Sequence, residues 1–387
     1  MQRRRAVLLR RLLERNLYVA ALGLTERRAS TLVRGKLVAA ALSGSWRENP
    51  PTPTLSADEL ARIAPLLLDA GCGALAWWRI RGSPLAGSPV GDQLREAYRL
   101  HTVQAAVHER ELPEVVRVLG AAGIDVLIVK GWTAARLYSE SGLRPYGDID
   151  VCVAPEVRDA ARAALAESAP AINVDLHAGL EINSGAAREL PRFEDARARA
   201  SRVRLGGVDV LMLAPEEHVA LLCVHLLTHG AWRPLWLCDI AAAVEGLPDG
   251  FDWDRCVGHS RRLATWVGST VALAQQLLGA RQGGDLCLPA RTPRWLEPAV
   301  LKQWGSPRPE SADDLVNLPG SFLRPSRAVR ILRAHWWDPI MATVQSGASF
   351  NRLPRFPFQV WFLVWRTGRF LRRLARDLGR RAGPSET

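Results

Sequence analysis

Apolar and polar positions change period repeatedly along this chain, and the changes mark out its elements. Ile124 to Val129 (IDVLIV) is a short, bounded run rich in β-branched residues, the pattern of a buried strand. At the Lys130-Gly131 corner that follows, glycine lets the backbone turn tightly and approach a ligand closely. Trp132 to Ser141 predicts a short helix, and Gly142–Gly147, with Pro145 inside it, predicts a loop. Asp148-Ile149-Asp150-Val151 then alternates acid and hydrophobe at period two. In a strand this puts Asp148 and Asp150 on one face and Ile149, Val151 and Val153 on the other. Pro155 sits where a helix over Val157 to Glu167 begins. Ala171 to His177 (AINVDLH) predicts a third strand, with Asn173, Asp175 and His177 on one face and Ile172, Val174 and Leu176 on the other.

The flanks read mostly as helix. Arg34 to Leu42 predicts one, and Glu48 to Ser56, with Pro50, Pro51 and Pro53, is a linker. Ser56 and Glu59 form a capping box for a helix that runs to about Ala70, where Gly71 and Gly73 end it. Gln93 to Leu119 predicts two helical stretches separated near Pro113. Arg202 to Met212, with Gly206-Gly207 at its centre, predicts a β-hairpin. Helices follow from Ala214 to about His229, from Trp232 to Val244, and from Phe251 to about Leu278, the last ended by Gly283-Gly284. Residues 288–325 are punctuated by proline and give no clear pattern. The fold class is therefore α+β. A helical N-terminal region spans 1–110, a strand-bearing core 111–213, a helical C-terminal region 214–345, and a basic amphipathic tail 346–387.

Charge sharpens the picture at the two ends. The net charge is +12, of which residues 1–36 and residues 351–381 carry +8 each, leaving −4 for the rest. The middle of the chain is not a basic surface, so nucleic acid is not favoured as its partner. The ends are suited to RNA, an anionic membrane surface or an acidic partner. Arg10, Arg11 and Arg15 interrupt the apolar stretch that an export signal would need, so the N-terminus reads as a basic amphipathic surface or docking helix. In the tail, ten apolar residues cannot span a bilayer, which takes about 20. Trp361, Trp365 and Phe370 followed by arginines fit either an interfacial helix or a helix docked on the body. The six cysteines form no CxxC pair and lie mostly in apolar runs, as in a reduced cytoplasmic protein.

Candidate chemistry gathers on the strands. Two carboxylates on one strand face repel each other and are costly to desolvate. A divalent cation would compensate them, Mg²⁺ typically taking one or two carboxylates with phosphates and water. The alternative is an edge strand with a solvated acidic face. Lys130, one of only three lysines, adds a cation beside the glycine corner. A phosphate chain would lie on the Gly131 N–H and the helix starting there. Asp175 is the third carboxylate, and His177, about 7 Å along the same face, could contact a phosphate, relay a proton, orient Asp175, or simply pack as a hydrogen-bonded histidine. Three further histidine or acid features read as structural first. His101 and His108 share a helix face without a completing ligand. His225 and His229 are spaced i, i+4 with no third ligand, so core packing outranks metal binding. Asp239, inside an apolar helix, needs a partner such as Arg233 or a substrate group.

The motifs Val129-Lys130-Gly131, Leu143-Arg144-Pro145-Tyr146-Gly147-Asp148-Ile149-Asp150 and Val174-Asp175-Leu176-His177 resemble a bacterial branch of the DNA polymerase β-type nucleotidyltransferase superfamily, over roughly residues 35 to 245. The resemblance implies a polymerase β-like core with helical additions and a metal-dependent transfer of NMP from an NTP, with ATP the expected donor. It implies two Mg²⁺ ions held by Asp148, Asp150 and Asp175, with Asp175 as base. Lys130, Gly131, Thr133 of the following helix and His177 would contact the nucleotide. The acceptor would be a hydroxyl or phosphate of a small molecule or peptide, as in natural-product or peptide tailoring. A non-catalytic nucleotide sensor keeping the fold is the other reading. The chain departs from the superfamily at the corner, where Lys130-Gly131 stands in place of Gly-Gly or Gly-Ser.

Overall fold

The computed structural model describes residues 30–180, 189–281, 288, 292–307 and 338–381. The sheet is built where the period-two pattern falls. Its strands are β1 (Leu127–Ile128), β2 (Ile149–Val153), β3 (Val174–Ala178), β4 (Ser201–Leu205) and β5 (Val208–Met212). They pair in the order β3-β2-β1-β5-β4. β2 runs antiparallel to β1 and parallel to β3, while β1 and β5 are parallel and β4–β5 form an antiparallel hairpin. Gly206 and Gly207 make its turn with φ of 54° and 82°, a two-residue conformation that glycine adopts without steric cost.

Alternation along the strands divides the hydrophobic interior. Ile149, Val151 and Val153 enter a smaller core together with Val174, Leu176 and Val210. Helices α4 (Pro89–Ala121) and α6 (Arg158–Ser168) cover that face through Leu112, Val115, Leu119, Ala161 and Leu165. Leu127, Val129 and Cys152 belong to the larger, mainly helical core. The faces expected from the sequence are thus the faces observed, with Asp150 on the side away from the smaller core.

The remaining helices are α1 (30–42), α2 (Ala57–Asp69), α3 (Gly73–Ile80), α5 (Gly131–Ala135), α7 (Phe193–Ala198), α8 (Pro215–Thr228), α9 (Pro234–Glu245), α10 (Trp253–Val257), α11 (Arg261–Leu278), α12 (Leu296–Trp304), α13 (Pro339–Gln345) and α14 (Phe356–Arg381). The capping box is formed, Ser56 accepting from the Glu59 amide and Glu59 accepting from the Ser56 amide. α8, α9 and α11 pack together as the centre of the larger core.

Four expectations are corrected. α4 is one helix, not two, and Pro113 lies inside it. The proline ring packs at the hairpin turn, where a Cβ on Gly206 would come 2.6 Å from Pro113 Cγ. Burying Leu112, Val115 and Leu119, at about 1.5–3 kcal/mol each, outweighs an interior proline's cost of about 3 kcal/mol. The first strand pairs over only two residues, and the helix after it spans Gly131–Ala135 instead of reaching Ser141. α11 ends at Gly279, whose φ of 66° makes the left-handed cap, before Gly283-Gly284 is reached. The expected N-terminal amphipathic helix and the Gly283-Gly284 pair lie outside the described residues. Among the described residues, no helix is long and apolar enough to cross a membrane.

Candidate active site

The parallel pairing of β2 and β3 sets Asp150 opposite Asp175 and Cys152 opposite His177. Because side chains alternate, Asp175 and His177 project from the same face of β3, next to Asp150. His177 Nε2 lies 3.2 Å from Asp150 Oδ1 and 3.0 Å from Asp175 Oδ2. Lys130 Nζ lies 3.1 Å from the same Asp150 oxygen and 3.0 Å from His177 Nε2. Gly131 N–H donates to the other Asp150 oxygen at 3.2 Å. One imidazole nitrogen carries at most one proton, so it either donates to a carboxylate or accepts from Lys130.

The corner explains why these groups converge. Lys130 has φ 48° and ψ −112°, a conformation that L side chains rarely adopt. Gly131 is needed for a different reason. A Cβ there would stand 3.2 Å from both Asp150 Oδ2 and Tyr146 Cβ. The close approach is therefore to the protein's own carboxylate, and the Gly131 amide is engaged by Asp150. Thr133 is buried and donates to the Ile128 carbonyl, so it is not part of the cleft lining.

Electrostatics separates the three carboxylates. Burial opposes ionisation of Asp150, but the His177 hydrogen bond and the Lys130 charge win and hold its carboxyl well below the usual range. The His177 hydrogen bond also holds Asp175 low. Burial pulls His177 down, yet its bonds to Asp150 and Asp175 leave it raised overall. Asp148 is half-buried and raised, first by burial and then by the charges of Asp150 and Asp175. Much of the carboxylate repulsion expected from the sequence is thus met from within, by Lys130 and His177. What stays uncompensated is at Asp148.

The same residues test the fit of a divalent cation. Ligand atoms of Asp150, Asp175 and His177 lie within 4.8 Å of one another, and among the described residues no other such group of three occurs. Carboxylate oxygens suit Mg²⁺ or Mn²⁺, and an imidazole nitrogen tilts the set towards Mn²⁺ or Zn²⁺. Asp148 stands outside that tight group but lines the same cleft, and its raised carboxyl is the one a cation would relieve. The donor set fits.

The cleft has a volume of about 360 Å³. Lys130, Asp148, Asp150, Asp175 and His177 form one side of its lining, and His225, His229, Arg233 and Trp236 come from α8, α9 and the turn between them. Sequence reading assigned the two histidines to core packing, and their rings do pack, at 4.7 Å from each other, with Trp236 4.7 Å from His225. Their position on the cleft was missed, although residues 225, 229, 233 and 236 keep a helical spacing that continues across the turn.

Asp239 is fully buried and finds partners other than Arg233. Arg144 Nη2 donates to it at 2.8 Å and Tyr138 Oη at 2.7 Å. Arg233 instead donates to the Ala70 carbonyl, at the C-terminal end of α2. Arg144 and Tyr146 flank the loop into Asp148, and Tyr146 stacks on His108 with ring centres 4.9 Å apart. Asn173 donates to the Gly147 carbonyl at 2.8 Å, fixing the residue before Asp148 to the start of β3. His101, the other histidine of that helix, is kept neutral by burial and by Arg233, its pKa lowered to about 4.

A mixed sheet that presents neighbouring carboxylates at a helix-walled cleft is an architecture suited to handling phosphates through a cation. The sequence profile of a family described as uncharacterised nucleotidyltransferase matches residues 56–171 and 167–279, more than half of the chain, and the chain belongs to that family. No curated protein matches it. Among solved structures it is similar to an antigenic nucleotidyltransferase-like protein from Paracoccidioides brasiliensis. That likeness has 12% identity and a TM-score of 0.33, and covers 48% of this chain and 94% of the other. Family membership supports nucleotidyl transfer as the general activity.

Proposed function

We propose that the chain transfers an NMP group from an NTP to a hydroxyl or phosphate of a small-molecule or peptide acceptor, releasing pyrophosphate. The observation that carries this reading is the β2–β3 register, which sets Asp150 beside Asp175 with His177 bridging them in the lining of the cleft. In the reaction the acceptor oxygen bonds to the α-phosphorus as the bond to the β-phosphate's bridging oxygen breaks. Pyrophosphate leaves and the acceptor's proton goes to the protein. Asp175 would take that proton, a role supported by its side-chain exposure of 50% against 10% for Asp150. A carboxylate held low is a weak base, so Asp175 acts by aligning the acceptor as well as by taking its proton, with His177 3.0 Å behind it. Lys130, which lines the cleft with its ammonium 3.1 Å from Asp150, would supply positive charge for the phosphates. A divalent cation, with Asp148, Asp150 and Asp175 as ligands and Mg²⁺ the expected ion, would supply neutralisation of charge on the attacking and leaving oxygens.

A second reading, nucleotide binding without transfer, draws on the compensation of Asp150 by Lys130 and His177, which lets the carboxylates persist without a cation. Incubation with each of the four NTPs and Mg²⁺, against a panel of hydroxyl-bearing small molecules and peptides, separates the two. Pyrophosphate released in proportion to modified acceptor supports transfer. Nucleotide binding with no pyrophosphate from any acceptor supports the second reading.

A further inference from the structure

The α8–α9 side of the cleft is chemically unlike the carboxylate side. His225, His229 and Trp236 form a cluster of flat rings, His229 and Trp236 lying 5.2 Å apart. Trp236 is half-buried and His229 is exposed, so the cluster presents ring surface to the cleft it lines. Trp232 extends the row, 5.4 Å from Trp236. Burial, and after it the charge of Lys130, holds both imidazoles below their usual range, so they are uncharged at neutral pH. Uncharged imidazoles lack the positive charge that would draw them preferentially to a phosphate chain. They do suit an uncharged planar group, which stacks on rings and exchanges hydrogen bonds at its edge.

Polar groups for such an edge are at hand. His225 Nδ1 is buried with no hydrogen-bond partner, an uncommon state for a buried nitrogen and one a ligand can relieve. The Thr228 hydroxyl and the Gln345 amide line the same cleft. Tyr146, the other aromatic residue of the lining, has its ring stacked on His108 and is only 6% exposed. The cleft's volume of about 360 Å³ falls in the range of small-molecule sites, about 300–1,000 Å³.

We infer that the Trp236, His229 and His225 wall is the nucleobase site, stacking the base of an NTP whose phosphates lie at Lys130 and the carboxylates. This inference rests on the nucleotide-donor reading above and names the part of the donor that the wall recognises. The occupant is taken as the donor's base because wall and phosphate-facing groups share one cleft. An NTP held by its phosphates keeps its base within a sugar's length of them.

Binding of ATP, GTP, CTP, UTP and inorganic tripolyphosphate, each with Mg²⁺, tests the assignment by calorimetry on the full chain. Trp236→Ala should weaken the tightest-binding NTP by about tenfold to a hundredfold, the scale of losing one base–aromatic stack, and leave tripolyphosphate within about twofold. Trp236→Phe should recover most of the loss. His229→Ala, at an exposed position that cannot empty the core, should weaken the NTP in the same selective way. NTP affinity unchanged in both alanine variants overturns the base site, as does an equal loss for NTP and tripolyphosphate. Absence of any NTP binding by the wild-type chain overturns the nucleotidyl-transfer reading, and the base site with it.

Discussion

Arg144 and Asp239 stand 95 residues apart in the chain and meet in a buried ion pair with a 2.8 Å contact. The pair ties the loop that delivers Asp148 to helix α9, which also carries Trp236. It thereby joins the carboxylate side of the cleft to the ring side. Tyr138 donates to the same carboxylate, so Asp239 has a partner for each oxygen. Removing one partner leaves a buried charge uncompensated, which costs about 3–5 kcal/mol. Urea unfolding of Asp239→Ala should show a loss on that scale, and the double variant Arg144→Met, Asp239→Leu should recover most of it. Single-variant stability within about 1 kcal/mol of wild type would show that the pair does not hold the loop.

Lys130 combines a glycine-like backbone with a side chain that binds Asp150 and His177. A residue held in such a region costs of the order of 1–3 kcal/mol, and glycine escapes the cost. Both Lys130→Gly and Lys130→Ala lose the ammonium, but only alanine keeps the strain. Lys130→Gly should therefore be the more stable of the two by about 1–2 kcal/mol in thermal or urea unfolding, the reverse of the usual order. Equal stabilities, or alanine ahead, would contradict the strained corner.

Asp148 and Asp150 are two residues apart and should respond oppositely to loss of charge. Asp150 is held ionised by His177, Lys130 and the Gly131 amide, whereas the ionised form of Asp148 is disfavoured by burial and by its neighbours. In chelator at neutral pH, Asp150→Asn should lower the melting temperature and Asp148→Asn should leave it unchanged or raise it. The stability that ionised Asp150 contributes is present above the unfolded carboxylate pKa of about 3.9 and is lost as pH falls through the lower folded value. The gap between wild type and Asp150→Asn should accordingly close in acid. A gap that widens on acidification would reverse the assignment.

How much of this was readable beforehand depends on the range over which each feature is encoded. The faces of β2 and β3 were legible because Ile149, Val151, Val174 and Leu176 alternate with acids, and period two needs no knowledge of the partner strand. Asp150 opposite Asp175 was not, since register is fixed by pairing across strands. The partner of Asp239 was hidden by sequence distance, and the conformation of Lys130 by a residue type that gives no sign of positive φ. Pro113 was misread because a local helix penalty was weighed without the burial that outweighs it. His225 and His229 were assigned to packing correctly but incompletely, because an apolar run does not tell a core from the wall of a cleft.

Helix α14 exposes one apolar face beside a buried anchor. Phe356, Val360, Trp361 and Val364 are exposed, Val364 at 67%, while Phe362 is 3% exposed. We propose that this face lies on anionic membrane, given the +8 carried by residues 351–381. Each basic residue near such a surface contributes on the order of 1 kcal/mol, screened by salt. Co-sedimentation with phosphatidylglycerol-containing vesicles should exceed that with neutral vesicles, fall steeply with salt, and drop in Val364→Asp. Binding unaffected by that substitution would return the helix to a docking role.

We propose that Asp175 serves transfer more than nucleotide binding. Pyrophosphate release by Asp175→Asn at saturating Mg-NTP, in a preparation whose nucleotide affinity is within about tenfold of wild type, tests it most directly. Turnover should fall by about 10² to 10⁴, the scale of losing a general base. Release at the wild-type rate would contradict the mechanism.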